Sequence, residues 1–490
     1  MSPITRAIKS AFWLFAESWL SAVFSILSFA ILARLLGPEV FGTMALAGVI
    51  FGATAIFVGS ALTESLEQRE EIDQSHIDTI FWLNSGLCLI FAILITLLAG
   101  VFGGLLNSTS LAVVLPALSL TAFISGLGAI PQALLERDLS HDKLVKLNML
   151  SGSLATTTAI VLAWFGFGVW SLVFSALIGA SIGTVGAWYL TQWRPTLLVS
   201  RAAFDDLFEF NRDTIATNVL GYVDSAFPRI LLSIVGGERA LGLLDIAFKF
   251  SGMVSELLMG PFNELAMNVV ARLQSSRKAV ADLLDRVFIM MTALIYPATL
   301  GLCAIAPILV PFILGSEWSG AVLPVQIALL MGIRDATGDF NFAILRGMGD
   351  TRSPLVILAI GILIMVAFAP LFAPYGATGI CALIALRVFS TWPISAYRVQ
   401  NVCGFPALKQ FTIGWRALLS AMISAGSVIG ASLLLPASLN SVVALGGLIA
   451  LGMIVFALMM WLIGATHIQR LFAALKWFRH KYRSPIEMAA

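Results

Sequence analysis

The sequence predicts an all-α polytopic membrane protein, and three observations carry that reading. Of its 490 residues 59% are hydrophobic and only 11% charged, under half the ~25% charged of a soluble domain. Its apolar residues gather in runs near the ~20 that a helix needs to cross a bilayer. The punctuation between runs is short, and no connection is large enough to be a domain.

The runs are justified in order along the chain. Arg6 and Lys9 precede an apolar stretch over 11–36, too long for the core of a cleaved signal peptide, so it reads as a retained first helix. The turn Gly37-Pro38-Glu39 separates it from 40–62. Runs at 79–102 and 111–135 follow, then 147–165 and 168–191, parted by Gly166 and Phe167. The pair 213–235 and 240–270 comes next, then 287–314, 320–345, 354–373, 376–397, 413–435 and 441–464. That gives about fourteen transmembrane helices. The longest connections are Thr63–Asp78, Gln192–Arg212 and Arg272–Arg286.

Cations orient the chain, because cytoplasmic loops carry the excess of Lys and Arg. With the N-terminus inside, the inner segments collect twenty-two, including Arg137, Lys143, Lys146, Arg272, Arg277, Lys278 and Arg286. The outer loops hold only Arg34 and Arg239. The bias requires an even number of spans, with both termini cytoplasmic. Overall the chain is nearly neutral, with Lys+Arg 29 against Asp+Glu 27 and a net charge of +2. No basic or acidic tract points to nucleic acid.

The chain also repeats itself. At an offset of two hundred residues, Gly37, Gly42, Ala47, Gly52 and Glu64 match Gly237, Gly242, Ala247, Gly252 and Glu264. Ala133-Leu134-Leu135 echoes Ala343-Ile344-Leu345 further on. Six helices separate the copies, so the halves share one orientation, as parallel repeats about an axis along the membrane normal. The domains expected are a six-helix lobe over 1–200, a second over 201–400, two helices over 401–465, and a basic amphipathic tail over 466–490. In that tail Ile468, Leu471, Phe472, Leu475 and Phe478 recur at helical spacing beside Arg470, Lys476 and Arg479. Such a helix lies on an anionic leaflet.

An ionisable group at the bilayer centre costs ~2.5–3.5 kcal/mol even on insertion scales, so each needs a partner or a wet cavity. In the eighth run Asp245, Lys249, Glu256 and Asn263 share one face at 100° per residue, with Gly252 and Gly260 beside them. The seventh has a comparable stripe of Asn211, Thr214, Asn218, Tyr222, Ser225 and Arg229, and the first a weaker one of Ser10, Trp13, Glu17, Ser21 and Ser28. Arg334, Asp335 and Asp339 lie in the tenth run and Arg387 in the twelfth. One-sided polar stripes are what the wall of an aqueous cavity requires. For any single residue a structural role is an equal alternative: Asp245 and Lys249, at i,i+4, form a neutral pair by themselves.

Some chemistry is missing. There is no G-x-x-x-x-G-K-[ST], H-E-x-x-H or G-x-S-x-G. The four cysteines (Cys88, Cys303, Cys381, Cys403) show no ligand spacing, so neither a disulfide framework nor a metal or cofactor is expected. All four histidines fall in cytoplasmic segments, which leaves Glu17, Asp245, Glu256, Asp335 and Asp339 as the intramembrane proton or sodium sites. The short outer turns leave no room for a catalytic loop. The reading is a transporter, not an enzyme.

At this point the residues resemble a family. Leu32-Ala33-Arg34-Leu35-Leu36-Gly37-Pro38-Glu39-Val40-Phe41-Gly42 is similar to the signature turn of Wzx-type polysaccharide flippases. Leu134-Leu135-Glu136-Arg137-Asp138-Leu139 and Phe165-Gly166-Phe167-Gly168-Val169-Trp170 resemble later patterns of that family. Trp193-Arg194-Pro195, Leu314-Gly315-Ser316-Glu317-Trp318 and Leu345-Arg346-Gly347-Met348-Gly349 extend the likeness over the chain.

The family belongs to the superfamily of multidrug, oligosaccharidyl-lipid and polysaccharide exporters. The resemblance implies a bacterial inner-membrane flippase for undecaprenyl-diphosphate-linked oligosaccharide repeat units, with a polysaccharide polymerase and chain-length proteins as membrane partners. On that cargo Arg229, Lys249, Arg334 and Arg387 would meet the diphosphate, and Asn218, Tyr222 and Trp13 the sugars. One departure is plain: relatives often carry Asp before the basic residue of the seventh helix, where this chain has Pro228 before Arg229. The alternative reading is an ion-coupled multidrug or small-solute antiporter of the same superfamily.

Overall fold

The computed structural model describes the backbone of residues 3–55, 73–138, 141–197, 200–273, 276–338, 340–350, 352–436 and 440–481. Side chains are described for these residues except 3–24, 54–55, 141–142, 201–218, 259–273, 475 and 478–481.

Every regular element among the described residues is helical, as the composition demands of a chain whose backbone must satisfy itself in lipid. In order they are α1 (Pro3–Ala55), α2 (Gln74–Leu105), α3 (Thr109–Arg137), α4 (His141–Trp164), α5 (Val169–Leu190) and α6 (Arg201–Leu273). Then come α7 (Arg277–Leu314), α8 (Val322–Leu330), α9 (Gly332–Gly338), α10 (Phe340–Gly347), α11 (Arg352–Phe372) and α12 (Gly376–Cys403). The last are α13 (Ala407–Thr412), α14 (Trp415–Leu434), α15 (Ser441–Leu462) and α16 (Ala465–Lys481).

Ten stretches among the described residues are long and apolar enough to cross a membrane. One of them, Arg352–Cys403, contains two of the expected runs. Fourteen crossings stay with the proposal below.

Both long helices are broken where the repeat places a glycine. Gly37 has φ 71° and ψ 174°, and Gly237 has φ 70° and ψ −173°. An L side chain strongly disfavours this region, so the two copies of the turn need glycine for the same reason.

The chain divides into two compact units, residues 28–242 and a second made of residues 1–27 and 243–490. This division follows packing, whereas the lobes at 1–200 and 201–400 follow the duplication and remain a proposal.

In the first unit α3 packs on α2 and α5, and α5 packs on α4. The α2–α3 approach is close because Gly126 leaves room for Cys88: a Cβ there would stand 2.1 Å from its Sγ. Asn84 Nδ2 donates to the Gly126 carbonyl at 2.9 Å beside that contact. Pro131 interrupts α3 and removes the N–H that would bond the Leu127 carbonyl. The indole Nε1 of Trp188 takes that place, donating to Leu127 O at 3.0 Å.

Past α5 the chain is tied back to the start of α2. Asp78, fully buried, accepts from the Thr196 backbone N–H at 3.2 Å and from its hydroxyl. Phe81 and Trp193 pack edge-on at 5.4 Å over the same join. The first part of the connection 192–212 is therefore fastened.

In the second unit α7 is the centre, flanked by α8, α9, α14, α15 and α16. Phe288 lies edge-on to Phe405 at 5.4 Å and against Phe340 at 6.3 Å. The run expected over 320–345 lies within one candidate span, Ser316–Gly347, whose helix is interrupted by a turn at Met331 between α8 and α9. Gly332 lets this segment approach α7, since a Cβ there would stand 2.4 Å from Thr299 Cγ2.

The tail forms a helix as its periodicity predicts, but its apolar face is covered by protein. Ile468, Leu471 and Trp477 pack on the core of α7 and its neighbours, and Ala474 is fully buried. The sequence placed this face on an anionic leaflet; Ile468, Leu471 and Trp477 of it pack on α7 and its neighbours instead.

Candidate functional site

The two glycine turns meet in the first unit. A Cβ on Gly42 would lie 1.8 Å from the Glu238 carbonyl oxygen, and one on Gly242 would lie 1.9 Å from that of Pro38. Each turn thus presents the bare backbone of its glycine to the other. Glu39 and Arg239 pair across the same contact at 3.5 Å, both well exposed. Glu238 also accepts from the hydroxyl of Ser108, which caps α3 by accepting from Leu111 N at 3.0 Å. An exposed ion pair is worth ~0–1 kcal/mol. Close glycine packing therefore gives this junction its fit, and the pair gives it little strength.

The polar stripe of the seventh run lies on α6. Tyr222 is half-buried, with its ring over Gly52 and its hydroxyl donating to the Val49 carbonyl. Arg229 Nη1 donates to the Ser225 carbonyl at 2.9 Å, one turn back on its own helix. Both residues thus have intramolecular contacts that the sequence did not show. The Pro228–Arg229 step stays inside a continuous helix, so the proline does not end it.

The stripe of the eighth run lies on the same helix past Gly237. Asp245 and Lys249 form the expected i,i+4 pair at 3.5 Å, with the Lys249 side chain 41% exposed. Glu256 and Gly252 are exposed on the same side. Lys249 and Glu256 are thus both open on one side, and Lys249 keeps Asp245 as its partner.

Arg334 and Arg387 are placed differently. Arg334 Nη1 lies 3.3 Å from Asp335 Oδ1, and the Arg334 side chain is only 12% exposed. Gly338 makes room for Arg334 Nε and for Trp392 of α12, both of which a Cβ would meet near 3 Å. Gly361 of α11 does the same for the Arg387 stem, 3.3 Å away. Both guanidinium groups are set into helix packing within the second unit. One turn beyond Arg334's packing, Asn341, Ser395 and Gln410 form a buried cluster: Asn341 Nδ2 reaches Ser395 Oγ at 2.8 Å and Gln410 Oε1 at 3.2 Å. Nothing in the sequence pointed to this trio, because Gln410 reaches it from a separate short helix, α13.

The remaining expectations lie outside the described residues: Asp339, and the side chains of Trp13, Glu17 and Asn218.

At the end of the second unit where its Lys and Arg gather, Lys409 Nζ pairs with Asp285 at 2.5 Å, and the Arg286 guanidinium stacks on Trp477 at 4.9 Å. His467 is buried there, its Nε2 3.2 Å from the Ile289 carbonyl oxygen. Burial holds its pKa below the ordinary value, and Arg470 and Arg416 push the same way against carbonyl hydrogen bonds that oppose them.

Comparison with known proteins agrees with this architecture. The succinoglycan biosynthesis transport protein ExoT of Rhizobium meliloti (strain 1021) is 26% identical over 404 residues, 81% of this chain and 80% of its own. The lipopolysaccharide biosynthesis protein WzxC of Escherichia coli (strain K12) is 22% identical over 346 residues, 69% of each chain. Among solved structures, a lipid II flippase MurJ in an inward closed conformation superposes with a TM-score of 0.72 at 15% identity, over 93% of this chain and 99% of that one. An inward-facing multidrug resistance MATE family transporter of the MOP superfamily gives 0.57 at 16% identity, over 77% and 94%. These two show the fold. A profile described as "Polysaccharide biosynthesis protein" matches residues 31–323, and the chain belongs to that family.

Proposed function

We propose that this protein is a flippase. It carries undecaprenyl-diphosphate-linked oligosaccharide repeat units from the cytoplasmic to the periplasmic leaflet of a bacterial inner membrane, for exopolysaccharide or O-antigen assembly. The observation that carries the reading is Lys249 and Glu256, exposed together on one side of the apolar run that follows Gly237, which we read as the wall of a wet cavity. The names of ExoT, WzxC and MurJ, which concern transport, polysaccharide biosynthesis and lipid flipping, support it.

Lys249 and Arg229 are the cations we assign to the diphosphate, and Tyr222 and Asn218, with Trp13, to the sugars. Arg334, which also pairs with Asp335, and Arg387 belong to the same proposed set of diphosphate cations, from within the helix packing of the second unit. In this reading alternating access parts Gly42 from Glu238 and Gly242 from Pro38 at the outer end, where the exposed Glu39–Arg239 pair adds little to hold them. The fourteen crossings, two six-helix lobes and two cytoplasmic termini belong to the same proposal, as do polymerase and chain-length partners. Glu256, Asp245, Asp335, Asp339 and Glu17 are the candidate coupling carboxylates.

The test is a deletion strain. The flippase reading expects lipid-linked repeat units to accumulate on the cytoplasmic leaflet while exported polymer is lost. Unchanged lipid-linked sugars, with cells newly sensitive to cationic dyes, would instead favour the ion-coupled antiporter that the exposed Glu256 would also suit.

A further inference from the structure

Only two residues separate the end of α15 from the start of α16, so α16 starts at the membrane surface. Its docked side is occupied: His467 and Ala474 are buried, Leu471 and Trp477 pack on the α7 core, and Arg286 stacks on Trp477. At 100° per residue the opposite side carries Gln469, Phe472, Ala473 and Lys476, all exposed, while Arg470, also exposed, lies on the flank between Ala474 and Trp477. Phe472 is 59% exposed although the helix has a core to bury it in. From Ala465 onward the chain carries Arg470, Lys476, Arg479, Lys481 and Arg483 and no acidic residue before Glu487.

We propose that this outer side binds anionic phospholipid headgroups, with Phe472 entering the interface and Arg470 and Lys476 on the phosphates. An exposed aromatic ring with Lys476 beside it and Arg470 on the flank, on a helix that starts at the bilayer surface, matches an anionic leaflet in charge and in polarity. The helix meets lipid with one side and α7 with the other. The docked face seen here is therefore compatible with, and distinct from, the lipid-binding one. Placing it on the cytoplasmic leaflet rests on the proposed topology, but lipid binding itself does not.

The experiment compares amide hydrogen exchange of residues 465–481 in the full-length protein, in nanodiscs of phosphatidylcholine alone and of equal parts phosphatidylcholine and phosphatidylglycerol. Both leaflets have the same lipid, so the result does not depend on topology. Exchange is expected to slow by roughly tenfold or more in the anionic discs, the scale that two cations at such a surface allow. High salt, and Arg470→Glu with Lys476→Glu, should each remove the difference. Lys476→Gln alone should reduce it partly, which keeps the test readable if charge reversal disturbs folding. Equal exchange in the two lipids would overturn the proposal. So would full slowing in the double variant, or protection that appears only when a soluble protein is added.

Discussion

Gly42 and Gly242, two hundred residues apart, share one contact: the Cβ each lacks would collide with the backbone of the other's turn, at Glu238 and Pro38 respectively. Pro38 and Glu238 are themselves equivalent in the repeat, as are Glu39 and Arg239, which pair at 3.5 Å. The duplication thus reappears as a two-sided contact. Glycine is required twice over, at Gly37 and Gly237 for the backbone angle and at Gly42 and Gly242 for the approach.

Gly42→Ala or Gly242→Ala should wedge the turns apart. Overpacking of this kind costs ~1–3 kcal/mol. Thermal unfolding in detergent should shift down, and a Glu39→Cys/Arg239→Cys pair should cross-link more slowly in the alanine background. A variant unchanged in both respects would mean that the turns do not touch.

Trp188→Phe should leave the Leu127 carbonyl without its donor, at ~1–3 kcal/mol for a buried unsatisfied group. Adding Pro131→Ala supplies a backbone N–H at the position that lacks one, so the double variant should regain part of the loss. Strict additivity in the double-mutant cycle would rule out the shared carbonyl.

The docking of α16 should weaken in acid. His467 is held neutral by burial, so its folded pKa lies below its unfolded value. Docking is then fully present above the ordinary histidine pKa of ~6.5, and is lost as pH falls below it and the undocked form takes up the proton. The positive charges of Arg470 and Arg416 add to the effect. Amide exchange of 465–481 should accelerate on acidification, and His467→Gln should remove that dependence.

Lys249→Ala should lower polymer export by about ten- to hundredfold at normal protein abundance. That is the value of a hydrogen bond to a charged group, ~1.5–3 kcal/mol. Asp245→Asn with Lys249→Gln should not restore it. Full rescue by the double change would reduce the pair at 3.5 Å to charge balance alone. Arg334→Ala should lose abundance as well as export, because its side chain is packed against Gly338.

The sequence was informative wherever one residue's backbone or polarity decides the outcome. Apolar runs gave the helices, and Gly37 and Gly237 gave the breaks, since their geometry is local. The Asp245–Lys249 pair was legible from i,i+4 spacing. Contacts between distant elements were not. Trp188 finds Leu127 only because α5 lies on α3, and Tyr222 finds Val49 only because two separated helices cross. That Gly338 and Gly361 receive the side chains of Arg334 and Arg387 was not legible either, because polarity in an apolar run carries no record of which neighbour has a glycine. Helical periodicity in the tail predicted an apolar face, and only the fold shows α7 covering it.

The most direct measurement reconstitutes the purified protein in liposomes loaded with undecaprenyl-diphosphate-linked oligosaccharide and follows glycan accessibility to an external glycosidase. In protein-free liposomes only the outer-leaflet half should be cleaved. The flippase account predicts that the inner-leaflet half also becomes accessible when the protein is present, more slowly with Lys249→Ala, and not at all with the Glu39→Cys/Arg239→Cys pair cross-linked. Accessibility no greater than in protein-free liposomes, together with gradient-driven accumulation of a fluorescent cation, would contradict it.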